Sequence, residues 1–142
     1  MTDSTMIRSD KTAREIFEEV RDNPARKTFG FGKKIAIVNV DPQKSYTRPD
    51  LYKTAYVTDP RQMEHTNRIS NAARAKGLPV IWTHVAYMDN AADCGVWGTR
   101  TNTPDSLQNI KFGSERTEFD DRLTIDRSVD AVYTKRMPSA FF

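Results

Sequence analysis

The sequence is poor in the residues that staple small folds together. Its 142 residues include one cysteine, Cys94, and two histidines. A single thiol cannot close an internal disulfide, and one cysteine with two histidines cannot complete a four-ligand structural zinc site. Long apolar runs are missing too. No stretch approaches the roughly 18 residues that cross a bilayer, which excludes a membrane-spanning helix. The N-terminal segment lacks the apolar core of a secretory leader. Nor is one charge in large surplus: 22 basic residues face 19 acidic ones, a net charge of +3, and no basic run or face would draw nucleic acid. With 37% hydrophobic residues the chain stands above a disordered composition, and its length suits one domain rather than two. The expectation is a globular cytoplasmic domain with no membrane or nucleic-acid partner, and nothing in it calls for a cofactor.

What is present reads as alternating strands and helices. Residues 1–9 are polar and expected to fray. An amphipathic helix follows Asp10, its expected N-cap, with Ala13, Ile16, Phe17 and Val20 on one stripe. Residues 1–32 therefore form an N-terminal helix and linker, and 33–142 the main domain. The run Lys34–Asp41 is the strongest strand signal, nearly continuous in apolar residues as in a parallel strand buried on both faces. A second helix is announced by Asp59 as N-cap, Pro60 at its first position and Gly77 beyond its end. Leu78–His84 and Asp130–Lys135 read as two more strands. Residues 85–128 hold no sustained period and are too long for an ordinary loop, so they are expected to form a binding loop or lid.

This order implies an α/β fold with a parallel sheet, and ligands bind such sheets beyond the carboxyl ends of the strands. Asp41, His84 and Lys135 lie at or just past three such ends. Asp41 and Lys135 form either an ion pair that stitches strand ends together or a catalytic acid–base pair. His84 is expected to be structural rather than a metal ligand.

Five segments resemble one family. They are Val38-Asn-Val-Asp41-Pro-Gln43, Gly77-Leu-Pro-Val-Ile-Trp-Thr83, Gly95-Val-Trp-Gly98, Phe112-Gly-Ser114 with Asp121-Arg-Leu123, and Lys135-Arg-Met-Pro-Ser139-Ala-Phe-Phe142. In this order they resemble the isochorismatase-like cysteine hydrolases, and among them the N-carbamoylsarcosine amidohydrolase branch. The resemblance runs from about Gly30 to the last residue. It implies a three-layer, Rossmann-like parallel-sheet fold and homo-oligomerisation. It also implies hydrolysis of a linear amide or N-carbamoyl compound through a cysteine thioester, with release of ammonia. By position Asp41 would be the general base and Lys135 would stabilise the thiolate and the charged intermediates. Tyr46 falls where the family has an aromatic pocket wall, although packing against its own loop explains it equally well. Trp97 and Arg100 lie in the irregular segment. They form either a surface contact or a place for a substrate carboxylate.

One departure is large. The family's nucleophilic cysteine follows the lysine after a further helix and strand, whereas 7 residues follow Lys135 here. Cys94 does not replace it by position and reads as an incidental loop thiol. The chain is thus expected to represent the N-terminal part of the hydrolase domain, as a fragment, a processed product or one half of a two-chain enzyme, with the cysteine on a C-terminal half from the same gene or a separate chain, and not to be stable as a monomer. A receiver-like signalling module, non-catalytic or partner-binding, is the rival. Against it, a receiver needs a phosphoacceptor Asp ending a central strand and a second acid beside the first; Thr83-His84 contains no Asp, and residue 40 is Val.

Overall fold

The computed structural model describes residues 10–23 and 30–141. The segment 1–9, residues 24–29 of the linker and Phe142 lie outside the described residues. The chain divides into two units, Met1–Lys34 and Ile35–Phe142.

In the first unit, α1 spans Ala13–Asp22. Its N-cap is Thr12, not Asp10. The Thr12 side chain accepts from the Glu15 amide and the Glu15 carboxylate returns to the Thr12 amide, a reciprocal capping box that Asp10 is too far away to make. Ile16, Phe17 and Val20 are exposed.

The second unit runs β1 (Ile37–Val40), α2 (Lys44–Thr47), α3 (Gln62–Ala75), β2 (Val80–Val85), α4 (Gly95–Thr99) and β3 (Ala131–Lys135). Two single 3-10 turns, Leu107–Asn109 and Glu115–Thr117, lie between α4 and β3. The three strands are parallel in the order β1-β2-β3. The strand expected from Lys34 begins only at Ile37, and it is half-buried rather than covered on both faces, with Val40 exposed. The reason is its place: β1 lies at the edge of this sheet, and β2 takes the centre. Val80, Trp82, Thr83 and Val85 of β2 are the buried set.

Strand alternation sorts the side chains. Ile37 and Asn39 pair with Val80 and Trp82 and face α3, where Asn39 Nδ2 donates to Ser70 Oγ at 3.1 Å. Ala73, Val80 and Trp82 form the core of that face, with Phe119, Leu123, Ile125 and Val132 packed around them. The opposite face carries Val38, Val40, Thr83, Tyr133 and Lys135, of which Val40 and Tyr133 are exposed. α3 starts two residues later than Pro60 suggests. Asp59 still organises the entry, its carboxylate accepting from the Arg61 amide at 2.8 Å. Gly77, at φ +65°, ends the helix as expected, where the left-handed turn suits a residue without a side chain.

Candidate active site

β1 delivers Asp41 to the carboxyl edge of the sheet. The Asp41 amide donates to Thr83 O at 3.0 Å, extending the ladder one residue past β1. The backbone there turns left-handed, φ +53°, a conformation that costs a non-glycine residue roughly 1–2 kcal/mol and that aspartate tolerates better than most. Gln43 secures the turn. Its buried side chain takes the place of a strand residue beside β2: Oε1 accepts from the Val85 amide at 2.6 Å and Nε2 donates to Val85 O at 3.1 Å.

β3 delivers Lys135 to the same edge, two strands away. Lys135 Nζ lies 2.5 Å from Asp41 Oδ2, with side-chain exposures of 4% and 15%. An ammonium has three protons to donate. Here the other two go to Met137 O at 2.8 Å and Pro138 O at 3.0 Å, so Lys135 is fully engaged. Asp41 is not. Its Oδ1 accepts from Thr83 Oγ1 at 3.0 Å, which with Lys135 makes two bonds for a group with about four acceptor sites.

This edge opens into a cleft of about 590 Å³ lined by Asp41, Tyr46, Trp97, Arg100 and Lys135. All five candidate residues therefore meet in one place. Tyr46 is half-buried. It packs against the cluster of Val85, Tyr87, Cys94 and Ile110 and also lines the cleft, so both uses open to it are realised. Burial and then the Asp41 charge push its phenol well above the ordinary range. Trp97 and Arg100 do stack, the guanidinium 3.9 Å from the ring centroid, and both border the cleft while doing so. Among the described residues Arg100 forms no ion pair.

His84 is not part of this site. One residue along β2 from Thr83, it points to the other face, where Nδ1 meets Thr117 O at 2.8 Å, Nε2 meets Thr134 Oγ1 at 2.7 Å, and the ring stacks on Phe119. The acid, imidazole and ammonium expected to gather at one edge are thus an acid and an ammonium only, because neighbours on a strand face opposite ways. Cys94 is also placed differently from the incidental loop thiol expected. It is fully buried in the Val85–Tyr87–Ile110 cluster, its Sγ donates to Ala91 O at 3.0 Å, and it does not line the cleft. Gly98 lies so close that an added Cβ would stand 2.5 Å from Cys94 Cβ.

Sequence reasoning missed Thr83. Thr83 carried a signal: β2 register sets it beside Val40, one residue short of Asp41, with a hydroxyl where the surrounding pattern is apolar. Among the described residues no group of three or more potential metal ligands is found.

No family model matches the chain. Among solved structures it is similar to a cysteine hydrolase from Pseudomonas syringae pv. phaseolicola (TM-score 0.61, 21% identity, 70% of this chain and 45% of the other). It is similar also to an isochorismatase family protein from Burkholderia thailandensis (TM-score 0.53, 26% identity, 71% and 49%). The parallel sheet is therefore that of the isochorismatase-like fold, and the resemblance to its cysteine hydrolases stands. Two particular relatives narrow the likeness. The N-carbamoylsarcosine amidase of Arthrobacter sp is 26% identical over 121 residues, 82% of this chain and 44% of the relative. That of Thermoplasma acidophilum gives a TM-score of 0.59 at 20% identity, over 78% of this chain and 56% of the other. The chain spans about half the length of the relatives it matches. No helix among the described residues is long and apolar enough to cross a membrane.

Proposed function

We propose that this chain contributes the acid–base pair of a cysteine hydrolase that cleaves the C–N bond of a linear amide or N-carbamoyl compound, N-carbamoylsarcosine-like or maleamate-like, and releases ammonia. One observation carries the reading: a partly buried carboxylate, Asp41, keeps acceptor sites free at a cleft while its cationic partner, Lys135, has no proton left to offer a further acceptor. An ion pair built only as a staple gains nothing from that asymmetry.

The nucleophilic sulfur comes from a C-terminal half outside this chain. Cys94, fully buried behind the cleft-lining Val85 and Tyr87 and not itself lining the cleft, is the wrong thiol. In the reaction Asp41 takes the thiol proton, and the thiolate bonds to the carbonyl carbon while Lys135 balances the charge at the edge. The C–N bond breaks as nitrogen takes the proton back from Asp41 and leaves as ammonia. A water then gives its proton to Asp41, its oxygen bonds to the thioester carbon, the C–S bond breaks and the proton returns to sulfur. Arg100, stacked over Trp97 and without an ion-pair partner among the described residues, receives a substrate carboxylate bidentately, and Tyr46 forms part of the cleft wall. The assembled enzyme is a cytoplasmic homo-oligomer that needs no cofactor.

The test is ammonia release from N-carbamoylsarcosine and maleamate by the chain, alone and mixed with a C-terminal half bearing a cysteine. Activity that appears only on mixing and survives Cys94→Ala supports the proposal. Activity of the chain alone that vanishes in Cys94→Ala overturns it.

A further inference from the structure

The Lys135 ammonium is held by two carbonyls of its own chain, Met137 O and Pro138 O, and those carbonyls stay where the following turn puts them. Pro138 fixes its own φ and drives Met137 toward extended backbone, so the turn is stiff from Met137 onward. Its direction depends on the residue before, Arg136. That residue is pinned three times. Its Nε pairs with the Asp93 carboxylate, its guanidinium lies 4.4 Å from the Phe112 ring centroid, and its carbonyl accepts from Tyr87 Oη at 3.0 Å. Asp93 is itself fixed by the Met88 amide at 2.9 Å. One side chain thus buckles three segments together beside the cleft: the loop after β2, the Phe112 loop and the turn after β3.

We propose that Arg136, through Asp93, is a positioning residue that aims the Met137 and Pro138 carbonyls at Lys135 and so fixes the ammonium against Asp41. Arg136 does not line the cleft, and it acts only through its neighbour. The inference rests on the proposed role of Lys135 for its meaning in catalysis, but its test reads the ammonium directly. A chain that never supports ammonia release, yet shows the dependence below, overturns the function and leaves the positioning intact.

The test is the 15N side-chain ammonium resonance of Lys135 and its rate of proton exchange with water in the full chain. An ammonium buried with three acceptors exchanges slowly enough to be seen. In Arg136→Met the exchange is expected to rise about tenfold, the effect of losing roughly one hydrogen bond. Asp93→Asn, nearly the same shape without the charge, gives the same change if Arg136→Met does not fold, and Arg136→Lys recovers part of it. Arg74→Met breaks a buried ion pair elsewhere and is the control for a general loss of stability. It leaves the Lys135 exchange as in the parent. Unchanged exchange in Arg136→Met or Asp93→Asn overturns the inference, and so does an equal rise in Arg74→Met.

Discussion

Two ion pairs at opposite ends of β3, Arg74–Asp130 and Lys135–Asp41, differ in what they leave open. At the N-terminal end of β3, the Asp130 carboxylate is 1% exposed and accepts four bonds: two from Arg74 (2.8 and 2.5 Å), one from Trp82 Nε1 at 2.8 Å and one from the Asp126 amide at 3.0 Å. At the C-terminal end, Asp41 accepts two and faces a cleft. The first pair is saturated, with Arg74 first among the causes that hold Asp130 below the usual carboxylate range. The second has its surplus on the acid alone. On the function proposed above, the saturated pair is a staple and the acceptor sites left on Asp41 beside the cleft are the ones used for proton transfer.

The widest split between them is expected in stability. Asp130→Asn removes the charge that Arg74, Trp82 and Asp126 all converge on and should cost about 3–5 kcal/mol in urea denaturation. Asp41→Asn should cost less than about 2 kcal/mol, because asparagine accepts the left-handed backbone, its oxygen still accepts from Lys135, and the Thr83 hydroxyl can turn to accept from its amide. Equal losses would erase the distinction. The next effect concerns binding. If the C-terminal edge is a substrate site, Arg100→Met should weaken the affinity of the mixed enzyme for N-carbamoylsarcosine about tenfold to a hundredfold, the value of a charged hydrogen bond, and leave an uncharged amide unaffected.

A third carboxylate sharpens the comparison through pH. Burial pushes Asp120 up, but bidentate Arg122 (2.8 and 2.7 Å), Thr47 and the Arg122 amide outweigh it and hold the group at about 2, below its ordinary 3.8. A depressed folded-state value stabilises the protein above the unfolded value, and that stability is lost as pH falls from about 4 toward 2. Comparing the urea midpoints of parent and Asp120→Asn across this window should isolate a contribution of about 1–2 kcal/mol in the parent. The smallest expected effect is that of Thr83→Val, about 1 kcal/mol, since it removes one neutral donor from a carboxylate that water also reaches.

Much of this geometry was legible in the sequence. The ends of two apolar strands put Asp41 and Lys135 at the carboxyl edge, whereas the strand order that sets them two strands apart is not written in any local pattern. Boundaries and facing were harder. Lys34–Ala36 share the composition of β1 but lie outside its ladder, and only the register with β2 shows where pairing starts. His84 looked like a neighbour of Asp41 because strand ends were read as points, whereas the two faces of β2 separate it from Thr83. Cys94 lies in a segment without periodicity, so nothing in its spacing revealed that Tyr87 and Ile110 close over it. Arg136 is one residue from Lys135, yet its partner Asp93 is 43 positions away, a contact that no local pattern encodes.

The most direct measurement pairs activity with stability in a single variant. In the mixed enzyme, Asp41→Asn is expected to lower ammonia release by about a hundredfold to ten-thousandfold, the range of a lost general base, while the urea midpoint stays near that of the parent. Full activity in a protein whose midpoint collapses as Asp130→Asn does would instead make Asp41–Lys135 a staple and contradict the account.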